Sequence, residues 1–252
     1  MKPLILVSND DGYLAKGINS LTEMLRPIGE VVVVAPDRPR SATGCAITSI
    51  LPISAKLCKQ EEGLTVYSCT GTPVDCVKLA LNQFVPRKPD LVISGINHGT
   101  NATINEHYSG TVSIAKEGTL HGISSIAFSL CDFDEDADFS PMTPHVQRIV
   151  RTVLEKGLPY GSLLNVNFPG EPDYKGIKIC KMAMGVWKEE FTRQETYYNK
   201  EYYWLGGVNI DLNPDDTLND NWALDKGYIA ITPIKIDETD YELMSDLSHW
   251  EL

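Results

Sequence analysis

The stretch Leu4-Ile5-Leu6-Val7-Ser8-Asn9-Asp10-Asp11-Gly12 decides the fold class. Its apolar run is short, partly β-branched and closed by turn residues, which is the pattern of a buried strand. Open α/β sheets bind ligands beyond the carboxyl ends of their strands, so Asp10 and Asp11 are expected on a ligand-facing rim. Adjacent carboxylates each resist ionising beside the other. A divalent cation removes that conflict, and carboxylate oxygens suit hard ions such as Mg²⁺ or Mn²⁺. The same nine residues fit equally well a plain turn in which Asn and Asp bond their own backbone.

Outward from this stretch, Ile18, Leu21, Met24 and Leu25 fall at helical spacing, and Pro27 and Gly29 end the helix. Glu30-Val31-Val32-Val33-Val34 is apolar on both faces, as strands are in parallel sheets covered by helices. The opening therefore reads β-loop-α-β. The following loop, Ala35 to Gly44, leaves the same rim and carries Arg38, Arg40 and Ser41. Residues 45–70 read as paired strands. Thr72-Pro73-Val74-Asp75 is a helix start with an N-cap Thr, an early Pro and an Asp in the capping-box position, so Asp75 is given no chemistry. Pro89 to Gly95 is a third core strand feeding a long loop, Ile96 to Gly110, of the length that is usually functional. Asn97 leaves this strand at the height of the carboxylates. Ser109-Gly110-Thr111-Val112 then opens a helix whose free N–H groups suit an anion, although a Ser N-cap alone is commonplace.

Further strands are expected at 123–130, 163–168 and 228–233, with a helix from Thr143. The acidic run Asp132 to Asp138 reads as a solvated loop, and Asp211 to Asp220 as a solvated loop for which a place near the site stays open. Residues 177–210 are aromatic and strand-like, with Trp187, Tyr197, Tyr198, Tyr202, Tyr203 and Trp204. An exposed hairpin of this kind, about 182–210, is expected to meet another subunit, the whole chain forming one α/β domain.

The 252 residues suit one large domain, and a net charge of −12 argues against binding long nucleic acid. A small phosphorylated ligand stays open, because a bound cation inverts the local field. The first apolar run is too short for a signal segment, and none approaches a membrane span. Six scattered cysteines without a C-x-x-C pair fit reduced thiols and a cytoplasmic protein without membrane contact.

Asp10, Asp11, Ser41 and Asn97 thus bring oxygens from three strand ends to one rim, an incomplete shell of the kind Mg²⁺ and Mn²⁺ accept. A cation there could activate water and polarise a phosphoryl oxygen, with the helix start at Ser109 to Thr111 holding the other oxygens. The chemistry this suggests is phosphate-ester hydrolysis. A receiver-type domain is disfavoured because Ser94-Gly95-Ile96-Asn97 stands where its phospho-accepting Asp would be. A nucleotide-binding or metal-binding module without catalysis is the alternative, although both the G-x-G-x-x-G and P-loop patterns are missing after the first strand.

Ser8 to Gly12, Ala35 to Arg38 with Ser41, Gly71 to Val77, Ser94 to Asn101, Tyr108 to Val112 and Gly227 to Pro233 together resemble, in order, the SurE family of metal-dependent nucleotidases. The resemblance implies a Rossmann-like three-layer α/β sandwich with a mainly parallel sheet and a protruding β-rich arm. It implies one divalent cation (Mg²⁺ or Mn²⁺) per subunit, held by Asp10, Asp11, Ser41 and Asn97, with Asp10 and Asn97 catalytic. Asn101, Ser109, Gly110 and Thr111 map to the phosphate side. The implied reaction is hydrolysis of nucleoside 5′- and 3′-monophosphates, and in some members of short polyphosphate, by a homodimer or homotetramer. His98 stands where the family often has a small residue, and the loop Ala102 to His107 departs from its commoner acidic form. Both departures bear on substrate preference, and His98 and His107 are candidates for substrate contact or proton transfer.

Overall fold

The computed structural model describes residues 2–134, 136–195 and 200–250, with residue 195 described by its backbone alone. In chain order the elements are β1 (Leu4–Ser8), α1 (Lys16–Leu25), β2 (Glu30–Pro36), β3 (Ala55–Glu61), β4 (Leu64–Cys69), α2 (Pro73–Leu79), β5 (Leu91–His98), α3 (Gly110–Leu120), β6 (Ser125–Leu130), α4 (Thr143–Lys156) and β7 (Ser162–Phe168). Then follow β8 (Ile177–Ile179), β9 (Gly185–Lys188), β10 (Phe191–Glu195), β11 (Glu201–Leu205), β12 (Val208–Asp211), α5 (Asp220–Asp225), β13 (Ile229–Lys235) and α6 (Tyr241–Leu247). Nine strands form one sheet in the order β3-β4-β2-β1-β5-β6-β7-β13-β8. From β4 to β7 every pairing is parallel; β3 joins β4, and β13 joins β7, antiparallel.

Alternation along β1 builds the three layers. Ile5 and Val7 pack with Ile18 and Leu21 of α1 and Val146 and Val150 of α4. Leu4 and Leu6 pack on the other face with Val77 of α2 and Ile114 of α3. The chain runs from β1 to β2 and β4 on one side, then returns to β5 on the other. The β1/β5 boundary is therefore the point where strand order reverses, the place such sheets keep for ligands. Gly17 lets α1 settle here, because a Cβ on it would lie 2.0 Å from the Ile96 carbonyl oxygen.

The paired strands expected over 45–70 are confined to β3 and β4, and 45–54 is irregular. In the C-terminal third, β9 pairs with β12 and β10 with β11, giving a two-stage antiparallel ribbon. Tyr202, Tyr203 and Trp204 of this ribbon are exposed. Tyr197 and Tyr198 lie outside the described residues, as does Glu135 of the first acidic run. Among the described residues no helix is long and apolar enough to cross a membrane.

Candidate active site

The turn after β1 separates two jobs that the sequence could not. Asn9 holds it: its Nδ2 donates to the Gly12 carbonyl at 3.0 Å, and its Oδ1 accepts the Gly12 N–H at 3.1 Å. Both aspartate carboxylates are thereby spared. Asp10 is buried, and its Oδ1 accepts the Thr111 hydroxyl at 2.5 Å. Its carbonyl accepts the Arg40 N–H at 2.7 Å, tying the loop after β2 to the end of β1. Burial pushes the Asp10 carboxyl up to about 6, the Thr111 hydroxyl draws it down, and the neighbouring Asp11 charge raises it further. Burial also raises Asp11, against the charge and backbone N–H of His98.

The helix side is built to meet Asp10. Gly110 is the first residue of α3, and a Cβ there would stand 2.8 Å from both Cβ and Oδ2 of Asp10. Only a glycine lets the helix start close on the carboxylate. Ser109 caps the helix by accepting the Val112 N–H at 3.0 Å, and its carbonyl takes the Ser113 N–H. The N–H groups of Gly110 and Thr111 have no acceptor within the helix, and they project beside Asp10. Ser94 of β5 anchors this turn by donating its hydroxyl to the Thr111 carbonyl at 2.6 Å.

Asn97 arrives through a break in register. The β5–β6 pairing shifts between Ser94 and Asn97. Gly95 makes this possible at φ +113°, where a Cβ would lie 2.2 Å from the Phe128 carbonyl oxygen. Such irregularities re-aim side chains next to active sites. The Asn97 amide nitrogen donates to the carbonyls of His98 (3.1 Å) and Gly99 (3.0 Å), so Oδ1 is the atom facing Thr111 Oγ1 at 3.4 Å. That distance is too long for a strong bond, and Thr111 spends its proton on Asp10.

These residues suit a hard cation. Asp11 Oδ2 is buried without a hydrogen-bond partner, a costly arrangement unless another group completes it. Among the described residues no group of three or more His, Cys, Asp or Glu side chains is placed to hold a metal ion, so a cation at this point would meet two carboxylates plus neutral oxygens. The structure joins Asp10, Asn97, Gly110 and Thr111 by direct contact. Ser41 is exposed and follows the Arg40 backbone contact by one residue. Asn101 sits deeper: its amide donates to Ser129 Oγ at 2.7 Å, its N–H to Asn167 Oδ1 at 2.8 Å, and its carbonyl accepts from Asn165. Its amide N–H is thus used inside the fold to shape the loop. His98 bonds the Asp134 carbonyl at 3.1 Å and meets Phe139 edge-on; His107 lies 3.5 Å from buried Glu106.

Two supports were not visible in the sequence. The long loop after β5 contains a 3₁₀ turn, Thr103–Tyr108. Glu106 fixes it to α3 through Lys116 at 2.9 Å, which holds the Lys116 ammonium above its usual range despite burial. Asp220 closes the acidic loop that was read as solvated with a place near the site open; it is fully buried, which corrects the solvation alone. It accepts the N–H groups of Thr103 (3.0 Å), Ala183 (2.9 Å) and Asn221 (2.8 Å), stitching the site loop to the base of the ribbon. An acidic run shows no mark by which one buried member could be picked out.

Residues 5–189 match the family described as Survival protein SurE. The chain belongs to the SurE family. A SurE relative from Bacteroides fragilis, named 5′-nucleotidase SurE, is 54% identical over all of this chain and 98% of its own length. Another of that name, from Bacteroides thetaiotaomicron, is 52% identical over 98% of this chain and 95% of its own. The crystal structure of the SurE protein from Aquifex aeolicus superposes with a TM-score of 0.84 at 38% identity, covering 98% of each chain. The Rossmann-like α/β fold is thus that of SurE proteins, and the cluster at the β1/β5 boundary is built from the segments that carried the resemblance.

Proposed function

We propose that the chain is a divalent-cation-dependent 5′-nucleotidase, hydrolysing nucleoside 5′- and 3′-monophosphates to nucleoside and phosphate, with short polyphosphate as a further substrate. The observation that carries this reading is the unpartnered, buried Oδ2 of Asp11, next in the chain to Asp10, whose carboxylate abuts a helix start with two N–H groups unused within the helix. One side of the cleft asks for a cation and the other for an anion, which together describe a phosphate ester with its metal.

Asp10, Asp11, Asn97 and Ser41 would hold one Mg²⁺ or Mn²⁺ per subunit. When bound, the ion neutralises phosphoryl charge and lowers the pKa of water. The chain's own residues supply the rest. Gly110 and Thr111 N–H groups and the Ser109 hydroxyl hold non-bridging oxygens at the positive end of α3. Thr111 fixes the rotamer of Asp10, and Asn97 directs a carbonyl oxygen at the same point; Asp10 and Asn97 are the catalytic residues of this reading. Water attacks phosphorus, the ester bond to the sugar oxygen breaks, and the departing oxygen takes a proton. The exposed aromatic ribbon supports a homodimer or homotetramer, and the reduced-thiol composition supports a cytoplasmic location.

Incubation with AMP and Mn²⁺ or Mg²⁺, with and without chelator, tests the reading. Phosphate release that the chelator stops is expected. No metal-dependent release from any nucleoside monophosphate would overturn it.

A further inference from the structure

The loop that leads from Asn97 to the start of α3 changes direction at one residue. Thr103 has φ +60°, in the left-handed region where a β-branched side chain is a genuine outlier. Strain of this kind lasts only where the surroundings impose it. Before Thr103 the loop is held by Asn101, clamped to Ser129 of β6 and to Asn165 and Asn167 of β7. After it come the 3₁₀ turn and, next in the chain, Ser109. The φ of Thr103 therefore sets where the turn goes and where Ser109 and Gly110 arrive beside Asp10. Local groups do little to hold it. Ala102 has no polar side chain, and the Thr103 hydroxyl accepts only the Asn105 N–H, at 3.5 Å, too long for a strong bond. The group that holds it is the Asp220 carboxylate, whose Oδ2 accepts the Thr103 N–H at 3.0 Å.

We propose that Asp220 is a positioning residue for the phosphate side of the site: it fixes Thr103 in its left-handed conformation, and through Thr103 the placement of the α3 start against Asp10. The inference rests on the nucleotidase reading and adds to it a residue that acts through another. Asp220 is itself well anchored. It is fully buried, and its N–H donates to the Lys181 carbonyl at 3.0 Å. Its two oxygens face different segments. Oδ1 accepts the N–H groups of Ala183 and Asn221, and Oδ2 accepts that of Thr103 and, at 3.5 Å, the Thr232 hydroxyl of β13. An amide in the same place has one accepting oxygen rather than two. On the Oδ1 side both donors are backbone N–H groups, which cannot reverse. On the Oδ2 side the Thr232 hydroxyl can rotate to accept. The amide nitrogen of an asparagine therefore falls on the Oδ2 side, and the bond lost is that of Thr103. Asp220→Asn is thus a selective removal of the restraint on Thr103.

The test uses the full-length protein with Mn²⁺ and reads two constants that do not depend on the folded fraction: KM for AMP, and the Kd of inorganic phosphate by calorimetry. In Asp220→Asn both are expected to rise roughly five-fold, with kcat reduced. Glycine adopts positive φ without steric cost, so Thr103→Gly removes the need for the restraint. Asp220→Asn/Thr103→Gly is expected to return both constants to within about two-fold of the parent protein, and Thr103→Gly alone to leave them there. Partial unfolding would lower kcat and move neither constant, and added glycine would not cure it. Asp220→Asn within about two-fold of the parent in both constants, or a double variant no better than Asp220→Asn, overturns the proposal. Should Asp220→Asn alone fail to fold, the double variant decides: it is expected to fold and to bind phosphate like the parent, and failure in either overturns the proposal. Phosphate binding weakened in Asp220→Asn and restored in the double variant upholds the positioning role even if AMP is not hydrolysed. Metal-dependent hydrolysis of AMP with both constants indifferent to Asp220→Asn sinks the positioning role alone. A parent protein that neither hydrolyses AMP nor binds phosphate overturns both.

Discussion

Two helices start on the same face of the sheet with similar words, and they do opposite things. At α2, Thr72 accepts the Asp75 N–H at 3.1 Å while Asp75 Oδ2 accepts the Thr72 N–H at 2.9 Å. Pro73 brings no N–H at all. At α3, Ser109 caps, but Gly110 and Thr111 follow and the first turn has no acid. Each start packs a glycine on an aspartate: a Cβ on Gly71 would fall 2.6 Å from the Asp75 Cβ, and one on Gly110 2.8 Å from that of Asp10. The difference is whose aspartate it is. The α2 acid belongs to its own helix and closes it. The α3 acid comes from the turn after β1, so it sits beside donors that its neighbouring helix does not use. On the proposed reading, a helix start is left open to a ligand when the acid beside it is supplied by another element.

The sharpest way to break this contrast is Asp10→Ala. Phosphate release should fall on the order of 10³-fold or more, while the circular dichroism spectrum stays that of the folded chain; near-normal turnover would refute the assignment. Next, Gly110→Ala forces the Asp10 side chain or the helix start to move. A shift near 1 Å costs roughly 10²-fold in kcat/KM, measurable in the same assay. Thr111→Val keeps the shape but removes the donor to Asp10; we expect a loss of roughly 10–100-fold and about 1–3 kcal/mol of stability from the unsatisfied buried carboxylate, read by denaturant titration. Ser109→Ala should raise the inhibition constant of inorganic phosphate roughly five-fold. The same change at Thr72 should leave that constant where it is, and equal responses at the two caps would erase the distinction between them.

How much of this could be read from residues follows the range of the interaction. Strands apolar on both faces announced the parallel sheet, because burial on two sides leaves a run such as Val31 to Val34 no polar alternation. The α2 cap was legible because all its partners lie within four residues. Asp10 and Asp11 stood out as a pair, but Asn9 as the residue that frees them did not, since the three share one turn chemistry. Thr111 was expected on the phosphate side from its place at a helix start, but the service of its hydroxyl to Asp10, 101 residues away, had no local signal. Glu106 with Lys116, and Asp220 with Thr103, Ala183 and Asn221, depend on folding distant segments together. The register break that aims Asn97 needed the Phe128 carbonyl of β6 behind Gly95, which no local pattern encodes.

The smallest expected effect tests the closed end. In Asp75, burial pushes the carboxyl up, but hydrogen bonds from Thr48 and Thr72 outweigh it and hold the group below its ordinary value of 3.8. A carboxyl depressed in the folded state adds stability above its unfolded pKa, and that stability is lost as pH falls through the lower, folded value. Asp75→Asn should therefore cost about 1 kcal/mol at neutral pH, and the gap to the parent protein should close as pH drops below 3.8. Turnover of AMP at 25 °C should be unchanged, because the charge of Asp75 is consumed inside α2 and the loop at Thr48. Were Asp75→Asn to alter phosphate affinity instead, the α2 start would be electrically open after all, and the reason for locating the anion at α3 alone would fail.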